Sequence, residues 1–269
     1  MPAGDDAGLP RRARGGRVSD DAGRTALGPP RRDDARRRDD GPARRTDRDA
    51  EYRIATAPAV SSGIGSHAGG TALPARDVEI PVAVSARHVH LSARSVEALF
   101  GPGANLRVHT MLRQPGQFAA EQTVTLIGPK GRIEHVRVVG PPRSQDQVEL
   151  SRSDELVLGI DAPLRESGHL DGTPGITLEG PAGRVTLDHG VVCSLRHLHL
   201  SPADAVALGL HDQQRISIHV AGERALTFDD LVVRVAPDYR MEVHLDTDEG
   251  NAAGIGPQGA FARIVKAGG

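Results

Sequence analysis

QTVTLIGPKGRIEHVRVVGPP, residues 122–142, reads as two β-strands joined by a turn. Each half is of strand length and rich in β-branched residues, and Gly-Pro-Lys-Gly at 128–131 supplies turn chemistry between them. The same texture extends outward through VEIPVAVS (78–85), QVELSRS (147–153), GITLEGPAGRVTLDHGVV (175–192), RISIHV (215–220) and DLVVRVAP (230–237), with a second such turn, Gly-Pro-Ala-Gly, at 180–183. Short strands at regular spacing predict a mainly β class, a barrel or sandwich. Two short helices are expected: Ser92 to Phe100, opened by a Ser cap, and Ser201 to Leu208, with a Ser cap and Pro202 at its first position.

Residues 1–76 have a different composition. Stretches such as RRDDARRRDDGPARRTDRD hold almost nothing apolar to set against the entropy of ordering, so a disordered Arg/Asp-rich tail is expected there. The first 50 residues carry 13 Arg and 10 Asp, which leaves 20 basic and 25 acidic groups in the rest of a chain whose formal net charge is −2. A mildly acidic body argues against a nucleic-acid footprint, and an aromatic content of 2% without Trp argues against a base-stacking platform. No run of 18 apolar residues exists and the N-terminus lacks an apolar signal core, so neither a membrane span nor secretion is expected. A single cysteine, Cys193, excludes an intrachain disulfide and fits a reducing compartment. The expected location is the cytoplasm.

An internal repeat organises the body. SARHVHLSARSVEAL (85–99) and SLRHLHLSPADAVAL (194–208) share eight of fifteen positions, start 109 residues apart, and both place Arg-His-x-His-Leu-Ser before a short capped helix. That separation suggests two related modules rather than a solenoid. His88 with His90, and His197 with His199, stand at i and i+2. On a strand this spacing puts both imidazoles on one face, about 6.6 Å apart along the chain, where they can converge on a metal. Two neutral imidazoles per copy suit zinc or another borderline divalent ion, and each pair needs a further ligand. His244, in an alternating strand before Asp246, Asp248 and Glu249, is the best additional candidate, with that acidic run expected to supply outer acceptors. Glu149 is a candidate carboxylate ligand, weighed against an ordinary solvent-facing strand position. The remaining histidines (His67, His109, His135, His169, His189, His211 and His219) lack such pairing.

Arg143 stands six residues before Glu149, where a guanidinium beside a metal would bind phosphate or carboxylate; an exposed loop arginine is the competing reading. Cys193 lies four residues before His197, an offset that on an unbroken strand would share its face. A small buried hydrophobe is preferred there to a nucleophile, since no separate base is identifiable.

The sequence resembles the PduL-type phosphotransacylases, or phosphate propanoyltransferases. The resemblance is carried by VAVSARHVHLS (82–92), LRQPGQFAAEQTVTLIGPKG (112–131), VRVVGPPRSQDQVELSRSD (136–154), GIDAPLRESG (159–168), GTPGITLEGP (172–181), SLRHLHLSPADA (194–205) and VHLDTDEGNAAG (243–254), which together cover about residues 77–266. It implies conversion of a short-chain acyl-CoA, propanoyl- or acetyl-CoA, and phosphate to acyl phosphate and CoA. It implies two zinc ions, one held by His88, His90 and Glu149 and the other by His197, His199 and His244. Arg143 would be the catalytic phosphate-binding residue, and Ser85, Arg137 and Asn251 would contact CoA. The implied fold is two small β-barrels capped by short helices, the first built from 77–86 plus 195–266 and the second from 87–194. A homo-oligomer is expected, with acyl-CoA and phosphate as partners and neither nucleic acid nor membrane.

The chain departs from the family pattern at Arg107, His109 and Thr110, where a Lys contact to CoA phosphates is expected, and at Gly250, where Ala is usual and the change is expected to be harmless. Family members in bacterial microcompartments of propanediol degradation often carry an amphipathic N-terminal helix; the N-terminal segment here has no helical apolar period, which weighs against encapsulation, while the resemblance keeps microcompartment association as an alternative to a free cytoplasmic location. The same residues leave open a dinuclear zinc hydrolase, which would consume acyl-CoA without phosphate. They also leave open a non-catalytic metal- or CoA-binding module.

Overall fold

The computed structural model describes residues 78–267, so the N-terminal tail and His67 lie outside the described residues. The chain runs β1 (Ile80–Ser85), β2 (His88–His90), α1 (Ala93–Phe100), β3 (Val108–Met111), β4 (Phe118–Ile127), β5 (Arg132–Gly140), β6 (Gln147–Leu150), α2 (Arg152–Leu158), β7 (Leu164–Arg165), β8 (Ile176–Glu179), β9 (Arg184–Leu187), β10 (Val191–Ser194), β11 (His197–Leu200), α3 (Pro202–Leu208), β12 (Arg215–Val220), β13 (Leu226–Val235), β14 (Glu242–Asp246), α4 (Thr247–Ala252) and β15 (Ala260–Ala267). The class is mainly β with short helices, as the sequence predicts.

Two sheets form. Strands β1-β14-β11-β13-β12-β15 close into a six-stranded barrel, with β15 returning antiparallel to β1. Its core is aliphatic, centred on Leu198, Leu200, Ile216, Ile218, Leu231 and Val243. The second sheet has the order β7-β10-β6-β2-β5-β4-β8-β9, with β3 on β4, and encloses its own cluster around Val89, Leu91, Leu126, Val138 and Leu178. It curls into a half-barrel with β7 and β9 as its edges. Its edge strand β7 is two exposed residues long, too short to close a ladder on the other edge.

Residues 122–142 form the β4–β5 hairpin, closed by Gly128 N–H on Gly131 O at 2.9 Å. The 180–183 turn closes β8–β9 in the same way. Both turns press on a helix end: a Cβ on Gly128 would stand 2.4 Å from Leu158 O of α2, and one on Gly180 would stand 2.4 Å from Leu99 O of α1. Glycine is required at both because the helix carbonyls accept hydrogen bonds from the turns, Lys130 N–H on Leu158 O and Ala182 N–H on Leu99 O.

α1 and α3 begin at the predicted serine caps, with Ser92 accepting from Ser95 N–H and Ser201 from Asp204 N–H. α2 and α4 were not anticipated, although each opens with a capping box, Ser151 with Asp154 and Asp246 with Glu249. Gly250 is not an idle departure: a Cβ there would meet Val84 Cγ2 at 2.7 Å, so α4 packs against β1 at a distance that suits glycine. Among the described residues no helix is long and apolar enough to cross a membrane.

Each copy of the repeat straddles the two sheets. β1 belongs to the barrel and β2 to the open sheet, so the first copy crosses between sheets at Ala86–Arg87. The second copy crosses in the opposite direction at Leu195–Arg196, from β10 in the open sheet to β11 in the barrel. The apolar runs before each histidine pair are therefore separate strands of the other sheet. Cys193 and His197 do not share a strand face, because the strand breaks between them.

Candidate metal centre

Each histidine pair lies on a strand whose antiparallel neighbour supplies a third donor. In the open sheet, β2 pairs with β6 and His88 stands opposite Glu149. In the barrel, β11 pairs with β14 and His197 stands opposite His244. The two trios, His88/His90/Glu149 and His197/His199/His244, each gather their donor atoms within 4.8 Å.

Hydrogen bonds orient these side chains. His88 Nδ1 donates to Ala86 O at 2.9 Å, His197 Nδ1 to Leu195 O at 2.8 Å, and His90 Nδ1 to Val139 O at 3.2 Å. A carbonyl can only accept, so these bonds put the proton on Nδ1 and leave an Nε2 lone pair free. In the first trio the two Nε2 atoms stand 3.1 Å apart, each 3.7 Å from Glu149 Oε1. Facing lone pairs beside a buried carboxylate repel one another unless a cation lies between them. In the second trio both ring nitrogens of His199 are buried without a hydrogen-bond partner among the described residues, a state that native interiors avoid. His199 stacks on Tyr239, with ring centroids 3.9 Å apart. The donor sets thus fit a borderline divalent ion such as zinc.

The electrostatics agree. Burial pulls the His90 pKa down to about 4, against the opposing pull of Glu149. Burial and the neighbouring His244 bring His197 to about 3, and burial, with His244 and His197, also drives His199 below the ordinary imidazole value. Burial would raise Glu149, yet His88, His90 and the Ser194 hydroxyl outweigh it and hold the carboxyl well below its usual range. These groups keep the neutral-imidazole and carboxylate forms that metal binding needs.

Both trios line one cavity of about 300 Å³, together with Arg143, Ser167, Arg234 and Tyr239. Arg143 is not an exposed loop arginine. It hydrogen-bonds Ser167 Oγ at 3.3 Å, and burial lowers its pKa against the charge of Glu149. Ser85 lines the same cavity. Arg137 does not; its guanidinium donates to the Ala120 and Glu121 carbonyls, both at 3.0 Å. Asn251 stands exposed on α4 outside the lining. Arg107 pairs with Glu121 at 2.5 Å on an exposed edge, beside the fully exposed β3 that carries His109 and Thr110. Cys193 is buried outside the lining, and burial pushes its thiol up to about 12. His109, His135, His169, His189, His211 and His219 are exposed or half-buried and join neither trio.

The acidic run after His244 serves the helix rather than the ligand. Asp246 caps α4, Asp248 accepts from Ser153 N–H at 2.8 Å, and Glu249 pairs with Arg196 at 2.7 Å. The carboxylate beside His244 comes from two residues earlier: Glu242 Oε2 lies 3.1 Å from His244 Nε2, while its Oε1 meets Arg113 at 2.9 Å.

Sequence reasoning missed Glu242, Gln147, Ser194 and Arg234. A second, weaker repeat carries the signal for the first two. QVELSRSD (147–154) and EVHLDTDE (242–249) align a third donor (Glu149, His244), a helix cap two residues later (Ser151, Asp246) and an acid five residues later (Asp154, Glu249). That acid pairs with the arginine before the histidine pair of the same sheet, Arg87 with Asp154 at 2.7 Å and Arg196 with Glu249 at 2.7 Å.

Fold and site define a β protein with two cation-ready donor trios opening on one arginine-lined cavity. Residues 81–256 match the family model for phosphate propanoyltransferase. The chain is 51% identical over 191 residues to a phosphate propanoyltransferase of Salmonella typhimurium, covering 71% of this chain and 90% of that protein. It is 49% identical to one of Shewanella putrefaciens with the same coverage, and 51% identical over 175 residues to one of Thermotoga maritima, covering 65% and 83%. The chain belongs to the phosphate propanoyltransferase family and is an acyltransferase.

Proposed function

We propose that the protein interconverts a short-chain acyl-CoA, propanoyl- or acetyl-CoA, and phosphate with acyl phosphate and CoA at a dinuclear zinc site. The observation that carries this reading is the convergence of the His88/His90/Glu149 and His197/His199/His244 trios and the half-buried Arg143 on one cavity. His88, His90 and Glu149 would hold one zinc ion, and His197, His199 and His244 the other. Zinc, when bound, supplies Lewis acidity for a thioester carbonyl and a soft partner for a departing thiolate. The chain's own residues do the rest. Arg143, fixed by Ser167, binds and orients phosphate, a weak nucleophile that gains most from being held in line. Its half-buried setting strengthens that attraction relative to water. Arg234, on the opposite sheet and lining the same cavity, adds positive charge for the phosphate oxygens. Phosphate oxygen forms its bond to the acyl carbon as the C–S bond breaks, in a ternary complex without an acyl-cysteine. The buried, protonated Cys193 supports that route. Of the three proposed CoA contacts, Ser85 would meet the thioester end, and Arg137 and Asn251, outside the cavity lining, would meet the body of CoA.

The test is CoA release from acetyl-CoA and propanoyl-CoA by zinc-loaded protein, with and without phosphate. Release should require phosphate, yield acyl phosphate, and fall about 10²–10³-fold in Arg143→Ala, the loss typical of removing one charge-stabilising donor. Release without phosphate would make the protein a hydrolase, and two bound zinc ions without turnover would make it a binding module.

A further inference from the structure

In the barrel, β1 and β14 run parallel with Ala83 opposite His244; in the open sheet, β10 and β6 run parallel with Val192 opposite Glu149. Two residues further along, on the same face by the strand period of two, stand Ser85 and Ser194. Ser194 Oγ donates to Glu149 Oε2, and Ser85 Oγ lies 3.4 Å from His244 Nδ1. Directly after each serine the chain crosses to the other sheet and, three residues on, delivers the first histidine of the other trio. Each serine therefore touches the third donor of one trio while leading into the histidine pair of the opposite one.

We propose that Ser85 and Ser194 are positioning residues with crossed assignments, Ser194 orienting Glu149 for the His88 trio and Ser85 orienting His244 for the His197 trio. The inference rests on reading the trios as cation sites. Its physical basis is strongest at Glu149. That side chain is only 8% exposed and is held on both oxygens, by Gln147 Nε2 on Oε1 at 2.5 Å and by Ser194 on Oε2. Without the Ser194 hydroxyl, one oxygen is left buried and unpaired and the carboxylate can rotate away from His88 and His90. At His244 the contact is weaker: Nδ1–H would donate to Ser85 Oγ at 3.4 Å and leave the Nε2 lone pair, which faces Glu242 Oε2 at 3.1 Å, as the donor atom, so Ser85 contributes less. The two Ser-x-Arg-His segments thus tie the centres together: a serine lost from one copy of the repeat is felt at the other copy's ligands.

The experiment titrates cobalt(II) into the metal-free full-length chain and follows its visible d–d absorption. His199→Gln leaves only the His88 trio intact, and His90→Gln leaves only the His197 trio. Ser194→Ala should weaken cobalt binding about 10–100-fold in the His199→Gln background, the range for losing an outer-shell partner. It should also shift the absorption band there, while leaving the His90→Gln background unchanged. Ser85→Ala should do the reverse with a smaller loss, and Ser194→Thr, which keeps the hydroxyl, should restore both affinity and band. If Ser194→Ala does not fold, Ser194→Cys, close in volume but a weak donor, reads the same loss. Weakening of the trio that each serine precedes, or no change at either, overturns the crossed assignment while the cation reading stands. Failure of the unmodified chain to bind cobalt overturns the cation reading itself.

Discussion

The two donor trios are built on the same plan and differ in where one carboxylate sits. In the open sheet the carboxylate is the third donor, Glu149, with neutral Gln147 two residues before it. In the barrel the third donor is neutral His244, and the carboxylate, Glu242, stands two residues before it with its charge met by Arg113. A divalent ion held by two imidazoles and a carboxylate keeps a formal charge of about +1, whereas three imidazoles leave about +2 on the ion itself. The two trios thus differ in whether the carboxylate stands in the third-donor position or two residues before it.

Ligand loss should be the harshest way to break this comparison. His90→Ala and His199→Ala should each bind one zinc equivalent instead of two by metal analysis and reduce phosphate-dependent CoA release to background. If either variant keeps both metals and full turnover, the pairing of trios with ions is wrong. A milder change acts on the relocated carboxylate. Glu242→Gln should weaken metal binding by the barrel trio about 10–100-fold while leaving the open-sheet trio unchanged. Gln147→Ala should cost the open-sheet trio less, because it removes a donor to a carboxylate that Ser194 still holds.

Acid probes the imidazoles in the metal-free chain. Their unfolded pKa is about 6.5 and the folded values are lower, with His90 near 4 and His197 near 3. Below about pH 6.5 the unfolded chain takes up protons that the buried rings refuse, so stability falls as pH drops toward those folded values and is insensitive to these rings above pH 7. Asp246, raised by burial to about 6, binds its proton more readily when folded and offsets part of that loss. Melting temperatures of chelator-treated protein from pH 7.5 to 4 should decline, and a flat profile would contradict burial of neutral imidazoles. The smallest effect is expected at Cys193→Ala, which should keep two metals and turnover and lose about 1 kcal/mol of stability, the usual scale for a small buried truncation. Abolished turnover with intact metal content would reinstate a cysteine route.

Much of this protein could be read from its residues. Strand class, the β4–β5 hairpin and the two serine-capped helices after the histidine pairs follow from local chemistry: β-branched runs, turn glycines and a cap before an apolar period. So does the duplicated Arg-His-x-His, because a strand's period of two places both rings on one face whatever the strand pairs with. The capping boxes of α2 and α4 are equally local signals. What local pattern could not decide is which sheet each strand joins. The crossings at Ala86–Arg87 and Leu195–Arg196 split what reads as a continuous apolar run, and they are set by pairings over long distances, β1 with β14 and β6 with β10. Those pairings bring Ser194 and Ser85 onto candidate donors 45 and 159 residues away. Periodicity along a strand specifies a face, and the sequence by itself determined that much. Only the closure of the barrel and the burial of its aliphatic core decided the neighbours across each strand, since a hydrogen-bonded ladder is common to all sequences and its choice of partner rests on the packing of the whole sheet.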